Sequence, residues 1–385
     1  MSLYSLLLPL LMAFAVTFAN RFWGGSMTYY PKGVNPDGSY KAELHFKQTF
    51  DSCEYLNWTN CYFGDCGSVI SLEKGVIYNT SGRNAVNFNW CQTEGVMTLQ
   101  IPTQEILYLR DLGCCWVDLT NHFTYWDLIT YINHGNRSDT NKVNRPPVSM
   151  SISFVRVPQN CLRTYKLIMF DPDKDHATCW AWNEIPAGFT LSQTRIKEKD
   201  FCTVSYSNAS VGLYGVNLIV LDLLQQPVTV THSVSSNVQH PQGSALAALS
   251  QVFAVKVDPA VASCDEGVYL PTFLHPTPEN GEQIQAVTNQ ELEIVVKATA
   301  TAVGVRGIII SGPLNITVDK YTDGSEEFVL RWTPRSDDLG EYFPICFIAE
   351  SNQVNNTYYQ SDMRCIIVEV EDKAGFGWPE DEGSV

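Results

Sequence analysis

Short runs of residues that favour β-strands recur along the whole chain, whereas helical periodicity is scarce. Glycine, proline, asparagine and aspartate bound these runs, and apolar and polar residues alternate clearly over residues 292–296 and 366–370. Strands of this length and spacing are typical of an all-β protein built from sandwiches. The predicted strands cover residues 40–46, 96–101, 148–157, 165–170, 214–221, 252–257, 291–298, 307–310, 327–332, 342–349 and 363–370.

A weak internal repeat links two later stretches of the chain. Residues 167–214 resemble residues 294–342, because each stretch holds an apolar strand, an aromatic strand, a turn and a Gly-x-Tyr that opens another strand. In immunoglobulin-like sandwiches such a tyrosine sits at a strand corner, and its hydroxyl bonds back to upstream backbone. We therefore predict two tandem Ig-like/cadherin-like β-sandwiches, over residues 147–262 and 268–372.

The two ends of the chain predict a secreted protein. Residues 1–19 carry no charge and a short apolar core, and they end in small residues, as a signal peptide does. Residues 373–385 form an acidic tail without the apolar stretch of a lipid-anchor signal. No later segment offers about eighteen uninterrupted apolar residues, so we predict no membrane span. We expect the mature chain in the extracellular space or matrix.

The twelve cysteines agree with that compartment, because an even number permits complete pairing. Zinc is the alternative for the close cysteines at positions 61 and 66 or 114 and 115, but no C-x-x-C pair or histidine cluster accompanies them. Residues 20–146 hold six of the cysteines, so we predict a cysteine-rich N-terminal β-domain there. Its connectivity stays open, since six cysteines allow fifteen pairings.

Some cysteine pairs follow from position. Neighbouring Cys114 and Cys115 would point to opposite faces of an extended strand, so we expect different partners for them. The remaining predicted pairs are Cys346 with Cys365 on neighbouring strands, Cys179 with Cys202 in the middle unit, and by elimination Cys161 with Cys264.

Six N-x-S/T sequons also fit the secretory route, and each occupied site must lie on the surface because a glycan cannot be buried. The predicted N-glycosylation sites are Asn57, Asn79, Asn136, Asn208, Asn315 and Asn355. The net charge of −16 argues against nucleic acid as a partner, since phosphates would be repelled.

Four stretches carry a resemblance to known proteins: residues 22–33, 137–139, 156–161 and 171–173. They resemble a group of uncharacterised secreted multidomain animal proteins, with an N-terminal cysteine-rich β-domain followed by Ig-like/cadherin-like repeats. The resemblance covers most of the mature chain. It implies a fold and an extracellular compartment, but it brings no catalytic residues and no established ligand.

The stretch from Asp171 through Asp173 to Asp175 places three carboxylates at alternate positions of an inter-strand loop, where they could bind calcium. Acids of neighbouring loops would complete the shell; the candidates are Asp222, Asp258, Asp265 and Glu266. Against calcium, the loop lacks the glycine and terminal glutamate of an EF-hand, and the matching residues 299–302 hold no acid. The alternative is a solvated turn. No other cofactor is predicted.

No catalytic pattern stands out. The chain has no Gly-x-Ser-x-Gly elbow and no HExxH, and its seven histidines are scattered, so we expect no enzyme. Most of the tryptophans lie in the first half of the chain, where they either fill cores or form a contact surface for a protein or a glycan. They are Trp23, Trp58, Trp90, Trp116, Trp126, Trp180 and Trp182.

These observations favour a secreted glycoprotein for adhesion or recognition. Its β-sandwiches would bind another extracellular glycoprotein, a glycan or a second copy of the chain through edge strands and loops. The alternative is a structural matrix or egg-coat component that acts by self-assembly.

Overall fold

The computed structural model describes residues 20–53, 60–79, 90–196, 199–320 and 326–372. Strands dominate this part of the chain, and its helical structure consists of one 3-10 turn, Ser336–Asp338. The all-β prediction is therefore confirmed. The predicted signal peptide and acidic tail lie outside the described residues.

The first part of the chain forms long antiparallel strands, which we call the N-terminal sheet. An aromatic cluster fills its core, because the ring of Phe22 stacks on Trp126 at 4.5 Å and meets Trp116 edge-on at 5.0 Å. The strands are β1 (Phe22–Val34), β2 (Tyr40–Phe50), β3 (Asn60–Phe63), β4 (Ser68–Asn79), β5 (Cys91–Ile101), β6 (Ile106–Cys114) and β7 (Tyr125–Asn133), with the short β8 (Asn136–Arg137) after them.

Two sandwiches follow. The first sandwich holds β9 (Val148–Ser149), β10 (Phe154–Pro158), β11 (Arg163–Phe170), β12 (His176–Ala181), β13 (Phe189–Ile196), β14 (Lys199–Tyr206), β15 (Gly212–Leu223), β16 (Val228–Thr231), β17 (Val238–His240) and β18 (Ala245–Asp258). The second sandwich holds β19 (Thr272–Leu274), β20 (Gln283–Val287), β21 (Leu292–Thr299), β22 (Val305–Ser311), β23 (Thr317–Lys320), β24 (Glu327–Trp332), β25 (Tyr342–Ser351) and β26 (Arg364–Glu371).

The two sandwiches repeat the same strand pairing, as the internal repeat predicts. Strand β11 pairs with β14 as β21 pairs with β24, and β12 pairs with β15 as β22 pairs with β25. Strand β10 runs parallel to β18, and β20 runs parallel to β26 in the same way. Strands β16 and β17 form a separate three-stranded sheet with β8, and the other strands of each repeat are divided between two sheets, as in Ig-like domains.

The boundary at residues 146 and 147 does not separate two sheets. Strand β18 of the first sandwich pairs with β1 through Gly24 and Phe253, and it also pairs with β7. The N-terminal sheet and one sheet of the first sandwich thus form a single eleven-stranded sheet. The edge of a sandwich has unpaired backbone groups, and here strands of the N-terminal sheet form hydrogen bonds with them. Residues 268–372, by contrast, hold both sheets of the second sandwich.

Two local predictions change. The predicted strand at 148–157 is two strands, β9 and β10, because the chain crosses from one sheet of the sandwich to the other.

The hydroxyl of Tyr214 donates to the carbonyl oxygen of Ser210 at 2.9 Å, as the corner motif predicts. The equivalent hydroxyl of Tyr342 instead donates to the carboxylate of Glu369 at 2.8 Å, because that side chain lies opposite on the paired strand β26.

All twelve cysteines are paired. The structure brings together the three pairs assigned from the sequence: Cys161 with Cys264, Cys179 with Cys202, and Cys346 with Cys365. The N-terminal pairs are Cys53 with Cys91, Cys61 with Cys66, and Cys114 with Cys115. The expectation of different partners for Cys114 and Cys115 was wrong, because it assumed one extended strand and β6 ends at Cys114.

Candidate functional site

Residues 171–175 form the loop between β11 and β12, which we call the aspartate loop. The side chain of Asp171 holds this loop in a turn. The Oδ1 atom of Asp171 accepts hydrogen bonds from the backbone N–H of Asp173 at 2.8 Å and of Asp175 at 3.0 Å. Lys174 turns the chain with a φ of 69° and is exposed. Aspartate favours such turns because its side chain bonds to backbone two residues on.

A fourth aspartate joins this loop from another strand. Asp222, on β15, is fully buried, and a carboxylate oxygen from each of Asp171, Asp175 and Asp222 lies within 4.8 Å of the other two. We call these three residues the aspartate cluster. It differs from the predicted set, because Asp173 turns to Arg145, whose backbone N–H and Nε lie 2.9 Å and 3.2 Å from its oxygens.

The other acids considered from the sequence lie elsewhere. Asp258 pairs with Arg156 at 2.8 Å, and Glu266 pairs with Arg163. Asp265 accepts a hydrogen bond from the hydroxyl of Ser263 at 2.9 Å. From the sequence, Asp222 was only one of four candidates for a further calcium ligand. The pairing of β12 with β15 brings it to the loop, and these two strands are far apart in the sequence.

Two arginines supply the positive charge around the cluster. Arg137 is buried, contacts Asp175, and lies 2.8 Å from Asp139 and 3.5 Å from Asp173. Burial opposes its charge, but the hydrogen bonds to Asp139 and Asp175 raise the pKa of Arg137 above its usual range. The side-chain oxygen of Asn144 accepts a further hydrogen bond from Arg137 at 2.9 Å.

Two oxygens of the cluster have no donor. Within the described residues, Oδ2 of Asp171 and Oδ1 of Asp222 are buried without a hydrogen-bond partner. Burial, and then the charges of Asp222 and Asp173, raise the pKa of Asp171 well above its usual value. Burial also raises the pKa of Asp222 to about 7, although a hydrogen bond from Asn144 opposes the rise. Burial and mutual repulsion thus disfavour the charged forms of these two carboxyls, because their neighbours do not fully balance a negative charge there.

The tryptophans divide into two groups. Trp23, Trp90, Trp116 and Trp126 are buried and fill the core, whereas Trp58 lies outside the described residues. Trp180, on β12, is 62% exposed, and Trp182, just after it, is 53% exposed. We call this pair the tryptophan edge, because in the described sheets β12 has β15 as its neighbour on one side and no strand on the other.

Polar side chains of β13 border the tryptophan edge. The amide of Gln193 donates to the carbonyl of Cys179 at 2.9 Å, and so covers one backbone acceptor of the edge strand. Arg195 lies beside His176, at the other end of β12. Exposed indole rings near the amide of Gln193 form a surface that can make both apolar and hydrogen-bonded contacts.

The predicted glycosylation sites with a described side chain are exposed, as a glycan requires: Asn136, Asn208, Asn315 and Asn355. Asn79 is the last residue of β4, and Asn57 lies outside the described residues. Glycosylation at all six sites stays a prediction. Among the described residues, no helix has the length and apolar character needed to cross a membrane.

Sequence comparison finds distant relatives. No family model matches the chain. It is 22% identical over 268 residues to integrin beta-like protein E of Dictyostelium discoideum, covering 64% of this chain and 13% of that protein. It is 22% identical over 376 residues to integrin beta-like protein C of the same organism, covering 88% of this chain and 19% of that protein. The chain thus spans less than a fifth of these relatives, and the resemblance to animal proteins stays a prediction.

Solved structures are similar only at a low level. The sialic acid binding region of the Streptococcus sanguinis SK1 adhesin matches with a TM-score of 0.21 and 10% identity, over 60% of this chain and 78% of that one. The tandem Ig repeats of Dlar match with a TM-score of 0.23 and 8% identity, over 59% of this chain and 99% of that one. Scores this low carry no argument. The chain is a disulfide-bonded all-β protein with distant sequence similarity to integrin beta-like proteins.

Proposed function

We propose that this chain is a secreted extracellular glycoprotein that acts in adhesion or recognition and not in catalysis. Its six disulfides are typical of proteins that fold in an oxidising compartment. The similarity to integrin beta-like proteins and the exposed sequons support the same compartment. The partner would be another extracellular protein or a glycan.

The tryptophan edge carries this proposal. Tryptophan is usually largely buried, yet Trp180 on the edge strand β12 and Trp182 just after that strand each expose more than half of their surface. Indole rings offer a large contact area and lose little conformational entropy on binding, which makes them common anchors in interfaces. Gln193, on strand β13 of the other sheet of the sandwich, is exposed and would supply a polar contact beside the tryptophan edge.

Self-assembly in a matrix or egg coat is the second candidate, and a different strand favours it. Strand β4 ends the order of the eleven-stranded sheet in the described residues, so its outer backbone groups can accept another strand. It is long, and four of its aliphatic side chains are exposed: Val69, Ile70, Leu72 and Val76. An exposed apolar edge of this kind favours pairing between copies of a chain.

One experiment separates the two functions. Beads coated with purified mature protein would be tested for aggregation, and the soluble protein for binding to panels of glycans and cell-surface proteins. A Trp180→Ala/Trp182→Ala variant should lose binding to the foreign ligand and keep its Tm, because both side chains are exposed. Tyr125→Ala, which removes a 74% exposed aromatic residue of β7, is the matched control and should bind normally.

The converse result would favour assembly. A Val69→Ser/Leu72→Ser variant that stops bead aggregation, with no ligand found on any panel, would replace recognition by self-association. Binding that survives loss of both tryptophans would remove the tryptophan edge as the contact surface. A wild-type protein that neither aggregates beads nor binds any ligand would contradict the proposal as a whole.

A further inference from the structure

We propose that Asp171, Asp175 and Asp222 bind a divalent cation inside the first sandwich, and that Ca²⁺ is the ion they fit. This inference goes beyond the proposed function, because it assigns a metal site that joins the aspartate loop to strand β15. It also replaces Asp173 by Asp222 in the set of ligands expected from the sequence.

The spacing of the carboxylates suits one ion. An oxygen of each residue lies within 4.8 Å of the other two. Calcium binds oxygen at about 2.3–2.6 Å, so two ligands on opposite sides of one ion are at most about 5 Å apart. Three aspartates within that span can all reach the same ion without a large movement of the backbone.

The unpartnered oxygens point to a missing ligand. Oδ2 of Asp171 and Oδ1 of Asp222 belong to side chains that are more than nine-tenths buried, and neither has a donor in the described residues. A buried acceptor without a partner is rare in native proteins, because it has lost its hydration without gaining a hydrogen bond. A cation between these two atoms would satisfy both.

The other oxygens of the cluster can also contribute. Oδ2 of Asp222 accepts one hydrogen bond from Asn144 at 3.0 Å, and Oδ1 of Asp175 accepts one from the backbone of Gln225 at 3.2 Å. Each carboxylate oxygen has a second lone pair that these bonds leave open. The three aspartates therefore offer four open oxygens, because Oδ1 of Asp171 already accepts two backbone hydrogen bonds and Oδ2 of Asp175 contacts Arg137. Calcium takes about six to eight oxygens, so water or backbone carbonyls would complete its shell.

The charge balance favours a divalent ion. Arg137 and Arg145 are the positive groups that contact the carboxylates of this region, and their partners are aspartates. The five aspartates are Asp139, Asp171, Asp173, Asp175 and Asp222. If all are ionised, three negative charges remain without a counter-charge, and Asp171, Asp175 and Asp222 are buried, where such charge is strongly unfavourable. A doubly charged ion removes most of that excess.

The ion would also order a functional strand. Asp175 directly precedes β12, and Asp222 lies opposite Ala177 on the paired strand β15. A metal held by both would fix the start of the strand that carries Trp180. Calcium dependence of binding would follow only if the proposed function is also correct, so the test of the site uses a readout that does not involve binding of a partner.

The experiment uses the purified full-length protein, stripped with a chelator and titrated with Ca²⁺ alone. Calorimetry would measure binding, and thermal melting would measure the Tm in calcium and in chelator. We expect about one ion per chain and a rise of several degrees in the Tm, because a ligand that binds only the folded state stabilises it. Asp222→Asn should abolish both the heat of binding and the rise in Tm.

The matched control is Asp111→Asn. Asp111 is also a buried aspartate with a raised pKa, but it lies on β6 and its carboxylate accepts a hydrogen bond from Gln48. This variant should respond to calcium as the wild type does. Asp171→Asn provides a second variant if Asp222→Asn does not fold.

A wild-type protein that gives no heat with Ca²⁺ and the same Tm in calcium and chelator would overturn the proposal. So would a calcium response that survives in both Asp222→Asn and Asp171→Asn. Neither result depends on adhesion, and a failed bead or panel assay would leave the calcium measurements standing.

Discussion

The side-chain amine of Lys32, on β1, lies 3.4 Å from the Oδ1 atom of Asp338, in the 3-10 turn of the second sandwich. The same amine lies 3.7 Å from Glu43 and 3.9 Å from Glu341, and it donates to the backbone carbonyl of Asp337 at 2.8 Å. The three carboxylates and the amine are largely buried. One cation therefore holds the N-terminal sheet against a part of the chain some three hundred residues later.

The first prediction concerns this contact. Lys32→Met should lower the free energy of unfolding by about 3–5 kcal/mol, because it leaves the buried Glu341 without its cation and leaves Arg335 to balance Glu43 and Asp338. Chemical denaturation would measure the change. Lys41→Met is the matched control: Lys41 pairs with the adjacent Asp337, but both side chains are partly exposed, so the loss should be about 0–1 kcal/mol. Equal losses in the two variants would show that Lys32 does not hold this interface.

The second prediction concerns pH. Burial raises the pKa of Asp111 to about 7, with a smaller rise from Asp127, although a hydrogen bond from Gln48 opposes it. Between about pH 4 and pH 7 the folded state then holds a proton that the unfolded state has released. The free energy of unfolding should therefore fall as pH rises through this range, by up to about 4 kcal/mol for this group.

Asp111→Asn removes that titration. Denaturation curves of the variant, measured at pH 4, 5.5 and 7, should show a weaker fall in stability than those of the wild type. The residual pH dependence belongs to the other acids. A pH profile identical to that of the wild type would mean that Asp111 ionises normally in the folded protein.

The third prediction compares two disulfides. Cys161 and Cys264 are 103 residues apart, whereas Cys61 and Cys66 are 5 apart. In the chain-entropy description a disulfide stabilises by restricting the unfolded chain, so the longer loop should contribute about 4.7 kcal/mol and the shorter about 2 kcal/mol. Replacing both cysteines of each pair by serine, and measuring the Tm of each variant, tests the order. A larger loss for the short loop would contradict it.

Much of the second sandwich could be predicted from the sequence, because its signals are local. The strand at 327–332 has the predicted bounds, and the repeat with residues 167–214 corresponds to a repeated pairing of strands. Alternation of apolar residues and the Gly-x-Tyr corner depend on neighbours along the chain. Such features are readable in a single sequence.

The parts that were missed depend on contacts between distant residues. The pairing of Gly24 with Phe253 joins the N-terminal sheet to the first sandwich, and no local sequence pattern predicts this pairing. The aspartate cluster needs Asp222 to lie beside Asp171, which follows from strand pairing and not from spacing. The exposure of Trp180 could not be predicted either, because it depends on β12 having a neighbouring strand on only one side.

The last prediction tests the joint between β1 and β18. A Cβ added to Gly24 would lie 2.5 Å from the carbonyl oxygen of Val252 and 2.9 Å from the Cα of Phe253, and both of these atoms belong to the backbone. Gly24→Ala should therefore separate the two strands and lower the free energy of unfolding by about 1–3 kcal/mol or more. Denaturation would measure the loss, and proteolysis should become faster in β1 if the strands part.

Gly307→Ala is the control, because a Cβ at that glycine of β22 would meet no atom within 4 Å. Its stability should stay within about 0.5 kcal/mol of the wild type, as for most substitutions away from packed sites. If Gly24→Ala has the same free energy of unfolding as the wild type, the backbones of β1 and β18 can move apart without loss of stability. The joint between β1 and β18 would then contribute little to stability, and the pairing of β7 with β18 would be the main link between the N-terminal sheet and the first sandwich.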